Sequence, residues 1–432
     1  MNSLIWGANS TTKSMKIKVK DLSYQEVLAL PKEKPFVPRR PSGLFRTLIN
    51  VISAGELRKV HFKYTTKDMD LLDKKQPCLY LMNHSSFLDL KIAEKIIPQR
   101  FNIVTTSDAF VGQKWLLRTL GCIPTTKFVT DTTLVRHMLH CFNKLKTSVL
   151  MYPEASYSFD GTATTLPKGL GKCLKLFNVP VVMITTYGDF LYDPLYNGLQ
   201  TRKVDVFATM EYALSPQQIK EASVEELNAE LERLFSFDGF RYQQENSVVI
   251  DEPFRADYLH RVLYKCPHCD AEGVTVGNGT QLSCTCCGKT YELTDRGYMR
   301  ALDGDTEFAH IPDWYRWQRE CVEREIKDGT YRLDTEVDVI VMKDTKAVYR
   351  IGSGRLTHDI DGFHLVADGG LDYSQPSKLS YSLYADYLWY ELGDVICIGT
   401  NEILYYCIPR DGAPVAKARL AAEEIFKTVS VK

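Results

Sequence analysis

No apolar run in the 432-residue sequence approaches the about 20 residues that a membrane-spanning helix needs. The opening MNSLIWGANS lacks the charged start and apolar stretch of a secretory leader. The expectation is therefore a chain that stays in the cytoplasm, free or resting on the cytoplasmic face of the membrane. Charge of one sign is lacking too: 53 Lys and Arg face 54 Asp and Glu, so bulk charge directs the whole chain to no polyanion. A disulfide framework is also missing. Five of the 12 cysteines, Cys266, Cys269, Cys284, Cys286 and Cys287, crowd one stretch, and the other seven stand singly in apolar sequence. That pattern suits a reducing compartment with one metal site and several buried thiols. There is no internal repeat.

What is present is enough apolar sequence for cores (44% hydrophobic, 25% charged) and enough length for two or three domains. Charge is uneven locally. Met1 to Lys67 holds thirteen Lys and Arg against four acids, a basic arm suited to anionic lipid, to nucleic acid or simply to solvent. Within it PKEKPFVPRRPS, residues 31–42, reads as an extended tether. In GLFRTLINVISAGEL the residues Leu44, Phe45, Leu48, Val51 and Ile52 recur at helical spacing. This predicts a helix that packs on its own domain or lies in a lipid interface.

From about Gln76 to Met210 short apolar runs alternate with helical segments, as in an α/β domain. CLYLM, FNIVTT, SVLMYP, VPVVMITTY and KVDVFATM read as strands, and 86–97, 131–146 and 168–177 as helices. SVEELNAELERLFS is a further helix, with Ser223 and Glu226 as a capping box. After a connecting helix within 301–335, residues 336–432 hold about seven strand-like runs, KLSYSLY and YLWYEL among them, and a terminal helix. They predict a β-barrel resembling a pleckstrin-homology domain, a pattern shared with other β-sandwiches.

In CLYLMNHSSFLD, His84 falls where a strand ends, Ser85 or Ser86 can cap the next helix, and Asp89 enters its first turn. A carboxylate there can bond one imidazole nitrogen and leave the other free to take a proton. No second ligand follows at metal spacing, and a capping Asp beside an incidental histidine is the bland alternative. Three more stretches follow in order: GCIPTTK (121–127), YPEAS (152–156) and VPVVMI (179–184).

Together the four stretches resemble the motifs of the glycerolipid acyltransferase family, which includes lysophosphatidate acyltransferases; NHSSFLD is similar to its N-H-x4-D and YPEAS to its F-P-E-G-T. The resemblance covers roughly 43–235 and implies an acyltransferase α/β domain over 43–245. It implies transfer of a fatty acyl group from acyl-CoA or acyl carrier protein to a hydroxyl of a glycerophospholipid precursor or related lipid acceptor at the membrane surface, as in a 1-acylglycerol-3-phosphate acyltransferase. His84 would be the general base and Asp89 its orienting partner. Asn83, Ser85, Gly121, Lys127, Pro153, Glu154 and Ser156 would line the substrate site, with Gly121 allowing close backbone approach and Glu154 helping to place the acceptor. The chain departs from the family at Lys127, Ala155 and Tyr157, where arginine, glycine and a basic residue are usual. A lysine point charge and a tyrosine hydroxyl grip phosphate less well than arginine's planar fork. A second reading keeps the fold without the chemistry, as a lipid-binding or scaffold protein.

Cys266-x2-Cys269 and Cys284-x2-Cys287 have the spacing of two zinc knuckles, with Gly288 at the turn after the second and with Cys286 and His268 as substitute ligands. They predict a zinc ribbon over 255–300 holding one structural Zn2+. Four protein ligands leave no open position for catalysis. The sequence between the knuckles has few cations and no aromatic pair for stacking, so no nucleic-acid partner is expected. The order predicted is thus arm (1–42), α/β domain, ribbon, connecting helix and β-rich domain.

Overall fold

The computed structural model describes residues 17–129 and 132–430. Residues 1–16 of the basic arm lie outside the described residues. The rest of the arm is not a free tether. Val19–Asp21 (β1) pairs with the C-terminal sheet, Tyr24–Ala29 is a helix capped by a Ser23–Glu26 box, and Glu33 accepts from Lys114 and Thr345, tying 31–42 down without regular structure.

Strands β2 (Lys63–Lys67), β3 (Leu79–Met82), β4 (Phe101–Thr106), β5 (Cys122–Thr125), β6 (Ser148–Met151), β7 (Val181–Tyr187) and β8 (Phe207–Leu214) form one sheet, ordered β2-β8-β7-β3-β6-β4-β5. Every neighbouring pair is parallel except β7 with β8. In β3 all four residues are buried, Tyr80 and Met82 in one core and Leu79 and Leu81 in the other, which is why a central parallel strand reads as unbroken apolar sequence. Two strands escape a reading by apolar runs. All five residues of β2, KYTTK, are exposed, and β5 is only four residues long with Pro124 inside. Because the central strands are parallel, the residues that follow β3, β4, β5, β6 and β7 emerge along one rim of the sheet.

The helix Gly43–Lys59 packs through Phe45, Ile49 and buried Leu57, and leaves Leu44, Leu48 and Val51 exposed. The Ser223–Glu226 capping box opens Val224–Leu234 as the spacing predicts.

β9 (Thr275–Asn278), β10 (Gln281–Cys284), β11 (Thr290–Leu293) and β12 (Met299–Ala301) make a small antiparallel sheet beside the cysteines. The helix Ile311–Lys327 leads into β13 (Leu333–Met342), β14 (Val348–Asp359), β15 (Gly362–Ala367), β16 (Leu371–Pro376), β17 (Tyr384–Asp386), β18 (Val395–Gly399) and β19 (Leu404–Pro409). Their order is β16-β15-β14-β13-β19-β18-β17, and β1 joins β14 at Val348–Arg350, beyond the half paired with β15. The terminal helix Val415–Ser430 packs on β17, β18 and Ile311–Lys327. KLSYSLY and YLWYEL are not the strands their apolar residues suggest. LDYSQP forms β16 instead, and Leu388, Tyr390 and Glu391 take positive φ in a tight loop.

Candidate active site

His84 stands on the rim just after β3. Its Nδ1 lies 2.8 Å from Asp89 Oδ2. The same oxygen accepts the backbone N–H of Ser85 (3.1 Å) and Ser86 (3.4 Å). An oxygen aimed at by two N–H donors cannot itself present a proton, so Nδ1 donates and Nε2 is left as the acceptor. Nε2 has no hydrogen-bond partner among the described residues, and 18% of the side chain is exposed. Burial holds the imidazole pKa below its ordinary value, helped by the Lys127 charge, while burial raises that of Asp89 against the pull of its backbone donors. The serines therefore do not cap the following helix as expected. Asp89 is its first residue, and the carboxylate reaches back to gather the loop around His84.

The ring is sandwiched between Tyr157 (centroids 3.9 Å apart) and Tyr152 (4.4 Å). Glu154, expected to place the acceptor, is fully buried. Its Oε2 accepts from His84 N (2.9 Å) and its Oε1 from Thr164 N (2.8 Å), so both oxygens are spent on backbone. It braces the histidine loop against the loop after β6. Buried Asn83 ties β3 to β7: its Oδ1 accepts from Thr186 N (2.8 Å) and Thr186 Oγ1 (3.0 Å). Ser85 meets Asn83 Nδ2 through its hydroxyl. Pro153 and Ser156 are buried beside Glu154, and Ser156 Oγ accepts from Arg419 of the terminal helix at 3.3 Å. Lys127 follows β5 on the rim with His84.

Gly121 does not belong to this group. It precedes β5, at the opposite end of the sheet and one four-residue strand from the rim, about 13 Å at ~3.3 Å per residue. Its φ of +83° and a Cβ position only 2.5 Å from Pro41 Cγ explain the glycine through the arm that crosses it. Ala155, where the family has glycine, also takes positive φ (+55°).

Two rim acids are absent from the sequence motifs. Asp108, after β4, accepts from Tyr384 and Trp389. Asp189, after β7, lies 2.6 Å from Thr186 Oγ1. That hydroxyl has one proton and two acceptor neighbours unless Asp189 keeps its own, and burial beside the Asp89 charge pushes Asp189 up to about 8. The usable signal for both was position, since each follows a strand on the same rim.

Residues 63–186, which contain all four motif stretches, match the family model described as Acyltransferase. The chain carries an acyltransferase-family domain. A chloroplastic 1-acyl-sn-glycerol-3-phosphate acyltransferase of Brassica napus is 30% identical over 116 residues, 26% of this chain and 33% of the relative. The chain thus spans about a third of that relative's length. The 1-acyl-sn-glycerophosphate (LPA) acyltransferase PlsC from Thermotoga maritima is 16% identical, with TM-score 0.36 over 44% of this chain and 76% of that one. Beyond the acyltransferase domain lie a four-cysteine cluster and the β-rich region with its terminal helix.

In that cluster Cys266, Cys269, Cys284 and Cys287 bring their sulfurs within 4.8 Å of one another. Cys266 to Cys287 is 3.8 Å and Cys269 to Cys284 is 3.7 Å. Four thiolates about 2.3 Å from a zinc ion in a tetrahedron stand about 3.8 Å apart, so the set fits the metal. His268 faces Glu307 (3.2 Å), and Cys286 is exposed outside the group.

Proposed function

We propose that the acyltransferase domain moves a fatty acyl group from an acyl thioester, on CoA or acyl carrier protein, to a hydroxyl of a lipid acceptor. The observation that carries this reading is the His84–Asp89 pair, with Nε2 unpartnered on the rim. In the reaction Nε2 takes the hydroxyl proton as the oxygen attacks the thioester carbonyl carbon. The imidazolium that forms is stabilised through Nδ1 by Asp89. Collapse of the tetrahedral species breaks the C–S bond, and the imidazolium returns its proton to the departing thiolate. Tyr152 and Tyr157 hold the ring plane, and Glu154 holds the backbone that carries it.

The test is thiol release from acyl-CoA and acyl carrier protein with lysolipid acceptors. Wild type is expected to turn over and His84→Ala to stall. Equal slow release by both, with lipid still bound, would favour the lipid-binding reading. The exposed Leu44, Leu48 and Val51, with Trp115 nearby on Phe45, support work at a membrane surface. No described helix is long and apolar enough to cross a membrane.

The cysteine cluster holds one structural zinc in this reading. Lys417 of the terminal helix bonds Glu272 (2.5 Å) and Glu325 (2.8 Å), so the ribbon joins the helices around it. Purified protein should contain one zinc per chain, lost with a fall in melting temperature in Cys269→Ser.

A further inference from the structure

The C-terminal sheet is docked on the rim that carries His84. Asp108 Oδ2 accepts from Tyr384 OH (2.7 Å) and Trp389 Nε1 (3.0 Å). Lys127 Nζ sits 4.0 Å from the centre of the Tyr384 ring, and the carbonyl of Phe128 accepts from Ser380 Oγ at 2.8 Å. Ala155 packs against the apolar cluster of Tyr384, Trp389 and Tyr406. Next to it, Ser156 is held by Arg419. Both stretches in which the cations of a phosphate grip would be sought, 121–127 and 152–157, are thus covered by one domain.

We propose that this domain forms the acceptor wall of the site and selects a lipid hydroxyl with a neutral or zwitterionic head over one ending in a phosphomonoester. The inference rests on the acyl-transfer reading above. A phosphomonoester near neutral pH carries close to two charges and needs cations free to meet it. Among the described residues the cations at this face are already engaged: Arg319, in the cavity beside Arg419, pairs with Glu423 (2.7 Å) and Glu424 (2.8 Å), and Arg316 with Asp313 (3.0 Å). Lys127 lies on the face of Tyr384, and burial raises the Asp386 carboxyl to about 6 against the pull of the Lys127 charge. Arg419 is 4% exposed, stacks 4.6 Å over Phe159 and pairs with Glu423 at 3.4 Å. At the position where a third cation is usual, Tyr157 turns its ring to His84. A dianionic head would therefore meet the Asp386 carboxyl beside a lysine that is already engaged. A neutral or zwitterionic head avoids that repulsion.

The experiment compares thiol release by the full chain with monoacylglycerol or lysophosphatidylcholine against lysophosphatidate of the same acyl length. The expected result is at least tenfold faster release with the first two. Equal or faster release with lysophosphatidate overturns the proposal. Asp386→Asn, checked for wild-type melting, should narrow the ratio at least threefold, and an unchanged ratio in the folded variant overturns the part assigned to Asp386. If no acceptor raises release above the His84→Ala level, the acyl-transfer reading fails by itself. Calorimetric binding of the same lipids then decides the present one, and tighter binding of lysophosphatidate overturns it.

Discussion

His84, on the rim of the α/β sheet, and His358, inside the C-terminal sheet, have nearly the same immediate surroundings. The His358 ring stacks on Phe363 with centroids 3.7 Å apart, and the His84 ring on Tyr157 at 3.9 Å. Each Nδ1 is hydrogen-bonded, and burial depresses both imidazoles. The differences are the partner and the opening. His358 meets the Tyr331 hydroxyl (2.9 Å) and is 1% exposed, whereas His84 meets a carboxyl group and its side chain is 18% exposed. A hydroxyl adds no charge to stabilise an imidazolium, and a sealed ring admits no alcohol. Burial and a depressed pKa therefore do not separate a packing histidine from a base; a carboxyl partner plus access does.

The largest expected effect tests that separation directly. His84→Ala should lower kcat for thiol release about 10²- to 10⁴-fold, the span of general-base catalysis. His358→Leu should leave kcat within about twofold and cost about 1–3 kcal/mol of stability, because Tyr331 loses its buried partner. A comparable kcat loss in both variants would dissolve the contrast.

Asp89→Asn should lower kcat about 10²-fold, the lower end of a general base's contribution. The amide can offer its NH2 to Nδ1, which moves the ring proton to Nε2 and blocks the acceptor position. KM should change little, since the carboxylate faces the ring and the backbone of Ser85 and Ser86. A kcat near wild type would mean that Asp89 only gathers the loop.

The base and its partner were legible because they lie five residues apart in one stretch, so chain geometry alone brings them together. The four cysteines were legible for the same reason, as two local pairs. What stayed hidden was set by distant residues. Gly121 answers to Pro41, and Glu154 spends its oxygens on the backbone of His84 and Thr164. The sequence around Tyr384 and Trp389 looks like strand because it is aromatic, yet Trp389 lies in a loop and both side chains reach across to Asp108. Apolar periodicity reports burial and not which domain provides it, so an interdomain anchor reads as a core strand.

The smallest effect is a pH dependence, and it sharpens the contrast from the packing side. Burial lowers His358 to about 3, against about 6.5 for an unperturbed histidine. Between those values the unfolded chain holds a proton that the native ring refuses, so stability falls as pH drops from about 6.5 toward about 3 and is level above. His358→Leu removes this contribution. Its stability deficit, read as melting temperature at pH 7.5 and pH 5, should therefore shrink at the lower pH, by at most about 1.4 kcal/mol per unit below 6.5. Glu154 and Asp189, which burial raises to about 8, act in the opposite sense, but they are common to both proteins and cancel in the difference. A deficit that stayed constant or grew on acidification would show that the native protein takes up a proton at His358, and the ring would then be no packing group at all.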